Sequence, residues 1–103
     1  MLKNFRTYLL AVEFYRLVSS LKLPGHLQEQ CRRASSSIVL NLAEGAGRAT
    51  KADQCRFYSI AFGSLRECQA ILDLSASQNS ATAELMDKLA AHIYRLVHQQ
   101  RAG

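Results

Sequence analysis

Apolar residues recur every three or four positions along most of the chain, which is the spacing of amphipathic helices. No segment alternates apolar and polar residues with period two, so the pattern predicts no strand. Polar and glycine-containing turns divide the chain into four predicted helices, at about Asn4 to Lys22, His26 to Glu44, Thr50 to Ser77 and Ser80 to Gln100. Long helices with short connections predict an all-α, antiparallel up-down-up-down four-helix bundle, forming one domain over residues 1–103.

The predicted helix ends follow from residues that favour caps and turns. Asn4 and Ser80 are good N-caps, and Thr50 to Asp53 resembles a capping box with Asp in place of Glu. Leu23-Pro24-Gly25 ends the first helix, and Gly45-Ala46-Gly47 provides a glycine exit for the second.

Three of the helices show one apolar stripe each, at 100° per residue. The predicted core positions are Leu27, Cys31, Ala34, Ile38 and Leu42, then Phe57, Ala61, Ser64, Leu65, Cys68, Ile71 and Leu72, then Leu85, Leu89, Ile93 and Leu96. Gly63 and Ser64 are small, so another backbone can approach closely there.

The first helix has more apolar surface than one bundle face can cover. One stripe contains Phe5, Tyr8, Val12 and Tyr15, and a second contains Leu10, Phe14, Leu17 and Leu21. Because excess exposed apolar surface marks an interface, the pattern predicts a homo-oligomer. The predicted interface residues are Leu10, Phe14, Leu17, Leu21, Leu40 and Phe62.

Composition narrows the class of protein further. The 103 residues include 13 Lys and Arg, most of them Arg, against 8 Asp and Glu, giving a net charge of +5. No stretch approaches the roughly 20 apolar residues of a membrane span, and the N-terminal segment is too interrupted by charge for a signal peptide. The three cysteines, without paired spacing, indicate two core thiols and one near the surface rather than disulfides. These features predict a cytoplasmic protein.

A group of basic residues surrounds the glycine-rich turn between the second and third predicted helices. Glycine-rich turns before a helix expose backbone N–H groups, which favour anions. The predicted phosphate-contacting residues are Arg32, Arg33, Arg48, Lys51 and Arg56. A solvated, partly salt-bridged face, with Glu29 and Arg33 four residues apart, explains the same residues equally well.

Polar residues also border the apolar stripe of the second helix. Buried polar groups need hydrogen-bond partners, so Ser37, Asn41 and Glu44 are predicted to form a network that fixes helix register, within the chain or between subunits. No base or nucleophile lies beside Glu44, and the cysteine and histidine spacing fits no metal site. We therefore predict no catalytic residue, no metal and no cofactor. The exposed side of the last helix carries Tyr94, which could stack on a base or lie in an interface.

The segment from Gln30 to Arg48, with Phe57 to Glu67, resembles a bacterial four-helix-bundle family encoded in intervening sequences of 23S ribosomal RNA genes. The proline break at Leu23-Pro24 is similar too. The matching positions are Gln30, Arg32, Arg33, Ala34, Ser37, Ile38, Asn41, Ala43, Glu44, Gly45, Gly47, Arg48, Ala61, Gly63, Ser64, Leu65 and Glu67.

The resemblance implies an antiparallel four-helix bundle and pentameric assembly. It also implies similarity to accessory proteins of diversity-generating retroelements, which form basic pentameric barrels thought to bind nucleic acid. The match covers the second and third helices well, and the first and fourth only by apolar pattern.

Two functions follow from these observations. The first is a non-enzymatic homo-oligomer that binds RNA or DNA through a basic surface, mainly by contacts to the phosphate backbone. The alternative is a structural or adaptor oligomer that binds a protein partner. An enzyme is the least favoured interpretation, since no titratable pair with active-site spacing is found.

Overall fold

Four helices pack side by side in a computed structural model that describes residues 2–76 and 79–102, apart from the side chains of residues 4 and 100–102. After a 3₁₀ turn at Leu2–Asn4, the helices are α1 (Arg6–Ser19), α2 (Leu27–Ala46), α3 (Lys51–Ser75) and α4 (Ser80–Ala102). Each helix packs on the next in the chain, and α4 packs back on α1. The predicted all-α four-helix bundle is confirmed, and the described residues contain no strand. None of the described helices has the length and hydropathy of a membrane span.

The first helix is shorter than predicted at both ends. α1 begins at Arg6 after an extended Phe5, which makes no side-chain capping bond, so the prediction of Asn4 as N-cap is wrong. It ends at Ser19, because the backbone N–H and the hydroxyl of Ser20 both bond to the carbonyl of Leu17. The following loop is held by Gln28, whose Oε1 accepts a 2.9 Å hydrogen bond from the N–H of Leu23.

The second helix continues through Gly45 to Ala46, two residues beyond the predicted end. Gly45 is needed for packing rather than for ending the helix. A Cβ at this position would lie 2.6 Å from Cε1 of Tyr58, whose ring is buried. The turn comes after Ala46, where Gly47 caps the helix without a left-handed backbone.

The caps of the last two helices differ in how well the sequence predicted them. Thr50 caps α3 as expected, since its Oγ1 accepts a 3.1 Å hydrogen bond from the N–H of Asp53. At α4 the cap is Asn79, whose Oδ1 accepts a 2.9 Å bond from the N–H of Thr82. The predicted cap Ser80 is instead the first helical residue. α3 ends at Ser75; the predicted end at Ser77 and the turn residue Gln78 lie outside the described residues.

One apolar core runs between the four helices. Most predicted stripe positions of α2, α3 and α4 are buried in it, and Met86 and Val97 add to the α4 face. On α1 the buried stripe is Ala11, Phe14 and Val18. Phe14 is fully buried within the single chain, so its predicted place in an oligomer interface is wrong. Burial of such a side chain stabilises the fold by about 1.5–3 kcal/mol.

Candidate functional site

A polar link joins α2 to α3 in the middle of the bundle. The Ser37 and Ser64 hydroxyls lie 2.9 Å apart, and Asn41 Nδ2 donates to the carbonyl and hydroxyl oxygens of Ser37 at 2.9 and 3.1 Å. These half-buried groups satisfy one another, so sliding α2 along α3 would leave polar atoms without partners. The predicted network of Ser37 and Asn41 is therefore present within the chain, and its third member is Ser64.

Glu44, the other predicted member of that network, points elsewhere. Its side chain is about half exposed and pairs with Arg48. It is part of a charged group at the α2–α3 turn, which we call the turn cluster: Glu44, Arg48, Asp53, Arg56 and Phe57. The prediction that Glu44 joins this network within the chain is wrong, because one helical turn beyond Asn41 the side chain has reached the end of the bundle.

Within the turn cluster, two arginines share one carboxylate and one ring. Arg56 donates to Asp53 Oδ1 from Nε and Nη2, at 3.1 and 2.9 Å, and Arg48 Nε lies 3.7 Å from Asp53 Oδ2. The guanidinium carbons of Arg48 and Arg56 lie 4.7 and 4.4 Å from the centroid of the Phe57 ring. The acidic partners offset much of this positive charge, although Lys51 nearby is exposed.

The predicted basic surface is divided between two places. Arg32 and Arg33 are exposed in the first half of α2, and Arg48 follows its end. At 1.5 Å per residue, the two groups are separated by roughly 20 Å along the helix axis. Among the described residues, no carboxylate forms an ion pair with Arg32 or Arg33, and the expected pair between Glu29 and Arg33 is not formed.

A second group of cations lies where α4 meets the start of α1, and sequence reasoning missed it. Thr7 Oγ1 and His92 Nδ1 are 3.3 Å apart across this seam. Burial lowers the pKa of His92, and the positive charges of Arg95, Arg6 and Lys88 lower it further. We call Arg6, Lys88, His92 and Arg95 the seam cluster. Its three cations form no ion pair within the described part of the chain.

An apolar groove opens between α1 and α2, with a volume of about 290 Å³. It is lined by Val12, Tyr15, Arg16, Ser36, Val39 and Leu40. Leu40, one of the predicted interface residues, is 66% exposed. The others behave differently: Leu10, Leu21 and Phe62 are partly buried against the core, and Leu17 lines the groove between α1 and α4. Sequence reasoning missed the exposed Leu9, Ile60 and Leu74.

A smaller aromatic cleft of about 220 Å³ lies between α3 and α4. The Tyr94 and His98 rings have centroids 4.0 Å apart, and the Phe62 ring meets Tyr94 edge-on at 6.3 Å. Tyr94 is 54% exposed, and the guanidinium of Arg66 lies 5.7 Å from the Phe62 centroid. The cleft is lined by Ser59, Phe62, Tyr94, Val97 and His98.

The cysteines occupy the predicted kinds of position. Cys31 and Cys68 are buried on α2 and α3, and the neighbouring Cys31 thiol, together with burial, raises the pKa of Cys68. Cys55 is partly buried, with Sγ 3.6 Å from the carbonyl oxygen of Val97. In the described ranges, no three His, Cys, Asp or Glu side chains gather in a way that could hold a metal ion.

Comparison with known families identifies a family whose model matches most of the chain. The family model described as 23S rRNA-intervening sequence protein matches residues 6–100, which include α1, α2, α3 and nearly all of α4. The chain belongs to this family. The resemblance seen in the sequence is thereby confirmed, and the match extends over the first and last helices as well. The family description names no reaction. Comparison with curated proteins yields no significant match.

Proposed function

We propose that this member of the intervening-sequence family is a non-enzymatic homo-oligomer that binds RNA or DNA through surface cations. The observation that supports oligomerisation is the apolar groove between α1 and α2, which is lined in part by Leu40, a residue that is 66% exposed. A second copy of the chain would remove this surface from water. Pentameric assembly, which the family resemblance implies, is the expected state.

Exposed apolar residues also lie on the two helices that flank α2. Leu9 lies on α1 and Ile60 on α3. The Ser37–Ser64 contact places Ile60 at about the level of Leu40 and Asn41 along the antiparallel pair. An interface centred on α2 would therefore cover Leu40 and Ile60 together, and it would leave α4, on the opposite corner of the bundle, accessible.

The nucleic-acid part of the proposal is supported by charge. Each chain carries a net +5, and an oligomer multiplies this charge over a connected surface. Arg32, Arg33, Lys51 and the seam cluster have no acidic partner in the described residues, unlike Arg48 and Arg56. Contacts from such cations to phosphates release counterions, so binding should weaken steeply as salt increases.

The assembly is tested by light scattering after size-exclusion chromatography at micromolar concentration. Wild-type protein should elute with the mass of about five chains, and Leu40→Asp should shift it toward the monomer because a buried carboxylate would be left unpaired. Leu74→Asp is the matched control, since Leu74 is 76% exposed and lines none of the grooves described above. A monomeric wild type would refute the oligomer.

Nucleic-acid binding is tested by fluorescence anisotropy with labelled RNA and DNA at 50 to 200 mM salt. Affinity should fall steeply over this range. Affinity independent of salt, or no binding at all, would contradict this part of the proposal. An oligomer that binds no nucleic acid would instead favour the adaptor function, in which the surface left outside the subunit interface binds another protein.

A further inference from the structure

We propose that α4 carries the nucleic-acid contact, with a phosphate on the seam cluster and an unpaired base in the aromatic cleft, so that the preferred ligand is single-stranded. This inference rests on the proposed nucleic-acid binding and moves the site away from the turn cluster. It is supported by the positions of charge and aromatic rings on the two sides of one helix.

The cations of the seam cluster form no ion pair among the described residues, whereas the arginines of the turn cluster pair with Glu44 and Asp53. Lys88, His92 and Arg95 lie four and three residues apart, so they share one edge of α4, and Arg6 joins them from α1. Lys88 and Arg95 are separated by roughly 10 Å along the helix, so they can contact different phosphates of one strand. Lys88 also lines the groove between α1 and α4 together with Glu13 and Glu84, but it forms no ion pair with them.

The aromatic cleft lies on the other side of the same helix. The side chains of Tyr94 and Arg95 leave α4 about 100° apart at the same level, so a strand with a phosphate at Arg95 reaches the Tyr94 ring by bending around the helix. A base can stack on such a ring whatever its sequence, whereas a paired base in a duplex is not available for stacking. Arg66, over Phe62, adds positive charge on the α3 side. This combination is typical of single-strand binding surfaces.

His92 should make the contact sensitive to pH. Its charged neighbours are Arg6 from α1, and Lys88 and Arg95 from α4, all positive. These cations disfavour protonation of His92 in the free protein. A phosphate bound among them would offset their charge and raise the pKa of His92. Binding should therefore take up a proton and become tighter as the pH is lowered.

The test measures binding of a labelled twelve-nucleotide oligothymidylate and of a twelve-base-pair duplex to the intact protein. Tyr94→Ala should weaken binding of the single strand about fivefold to a hundredfold, and Tyr94→Phe should retain it, because the ring and not the hydroxyl provides stacking. Arg95→Gln should weaken binding and reduce the slope against log salt by about 0.7. Arg33→Gln tests the competing site on α2. Lys22→Gln, an equal loss of charge at an exposed residue between α1 and α2, is the matched control and should change affinity little.

The pH arm compares binding at pH 5.5 and 7.5. The gain in affinity from pH 7.5 to 5.5 should be smaller in His92→Gln. It should be unchanged in His26→Gln, because His26 is exposed at the start of α2, away from the seam cluster. Circular dichroism should show the variants of exposed residues folded, and it checks the fold of His92→Gln, because the His92 side chain is partly buried.

Each outcome separates this inference from the function on which it rests. If the wild type binds with salt dependence but only Arg33→Gln weakens it, nucleic-acid binding stands and the α4 site is refuted. Equal affinity for the duplex, together with an unaffected Tyr94→Ala, refutes the single-strand preference. If the wild type binds neither ligand, the proposed function fails and the α4 site fails with it.

Discussion

Gly45 lies in the last turn of α2 against the buried ring of Tyr58, and replacing it with Ala tests whether this contact limits the sequence. An added Cβ would lie 2.6 Å from Tyr58 Cε1, 2.9 Å from Cδ1 and 3.1 Å from Phe57 Cβ. The Tyr58 ring is 96% removed from solvent and packs on Phe5, with ring centroids 6.1 Å apart. It has little room to move away, so the helix, the ring or both must shift.

Two opposing effects decide the result. Ala is favoured over Gly within a helix by about 0.8–1.0 kcal/mol. Overpacking a filled core typically costs about 1–3 kcal/mol. The second effect is larger, so Gly45→Ala should lower the free energy of unfolding by about 1 kcal/mol and the melting temperature by about 4–8 °C.

The assay is urea and thermal unfolding followed by circular dichroism, with all variants at one protein concentration because assembly affects apparent stability. Gly63→Ala is the matched control: Gly63 is also helical, but a Cβ there would meet nothing within 4 Å, so this change should stabilise the fold by up to about 1 kcal/mol. In a Tyr58→Leu background, where the shorter side chain can give way, Gly45→Ala should become neutral or stabilising. If Gly45→Ala stabilises the wild type as much as Gly63→Ala does, the steric explanation is wrong.

Two further predictions concern polar groups. Asn41→Ala should lower the free energy of unfolding by about 1–2 kcal/mol, because two half-buried hydrogen bonds to Ser37 are lost. Glu44→Ala, at the exposed turn cluster, should lower it by less than about 1 kcal/mol. Equal losses in urea titrations would contradict the assignment of the network. The fold lowers the pKa of His92, so the contribution of neutral His92 to stability is fully present above the unfolded pKa of about 6.5. This contribution is lost as the pH falls through the folded pKa. The drop in melting temperature between pH 7.5 and 5.5 should therefore be smaller in His92→Gln, and an unchanged drop would count against this role.

The fold could be predicted from local information alone. The apolar spacing in α2, α3 and α4 identified most of the core, and Thr50 identified the start of α3, because each of these signals lies within a few residues of the chain. The end of α2 was missed for the opposite reason. Gly45 resembles a helix stop, and only the packing of Tyr58, thirteen positions later, explains why it lies inside the helix.

The faces of α1 show a second limit. Its two apolar stripes are equivalent on a helical wheel, and the wheel contains no information about which one faces the other helices. The structure turns Ala11, Phe14 and Val18 inward and leaves the outer stripe half-buried, so Phe14 was assigned to the wrong environment. Of the six predicted interface residues, only Leu40 is strongly exposed, and the exposed Leu9 of α1 belongs to neither predicted stripe.

The candidate site could not be identified without the three-dimensional arrangement of the helices. The spacing of Lys88, His92 and Arg95 is visible in the sequence, but their meeting with Arg6 depends on α4 closing on α1. Conversely, Arg32 and Arg48 are close enough in sequence to suggest one patch, and the straight length of α2 separates them.

The buried thiol pair gives the molecule a built-in reporter. Cys31 and Cys68 are enclosed between α2 and α3, and Cys55 is the only other cysteine in the chain. An alkylating reagent added to native protein therefore has one partly accessible sulfur, and it gains access to the other two only when that helix pair comes apart. The rate at which the second and third cysteines are alkylated would measure how often the centre of the bundle opens, and it needs no engineered residue.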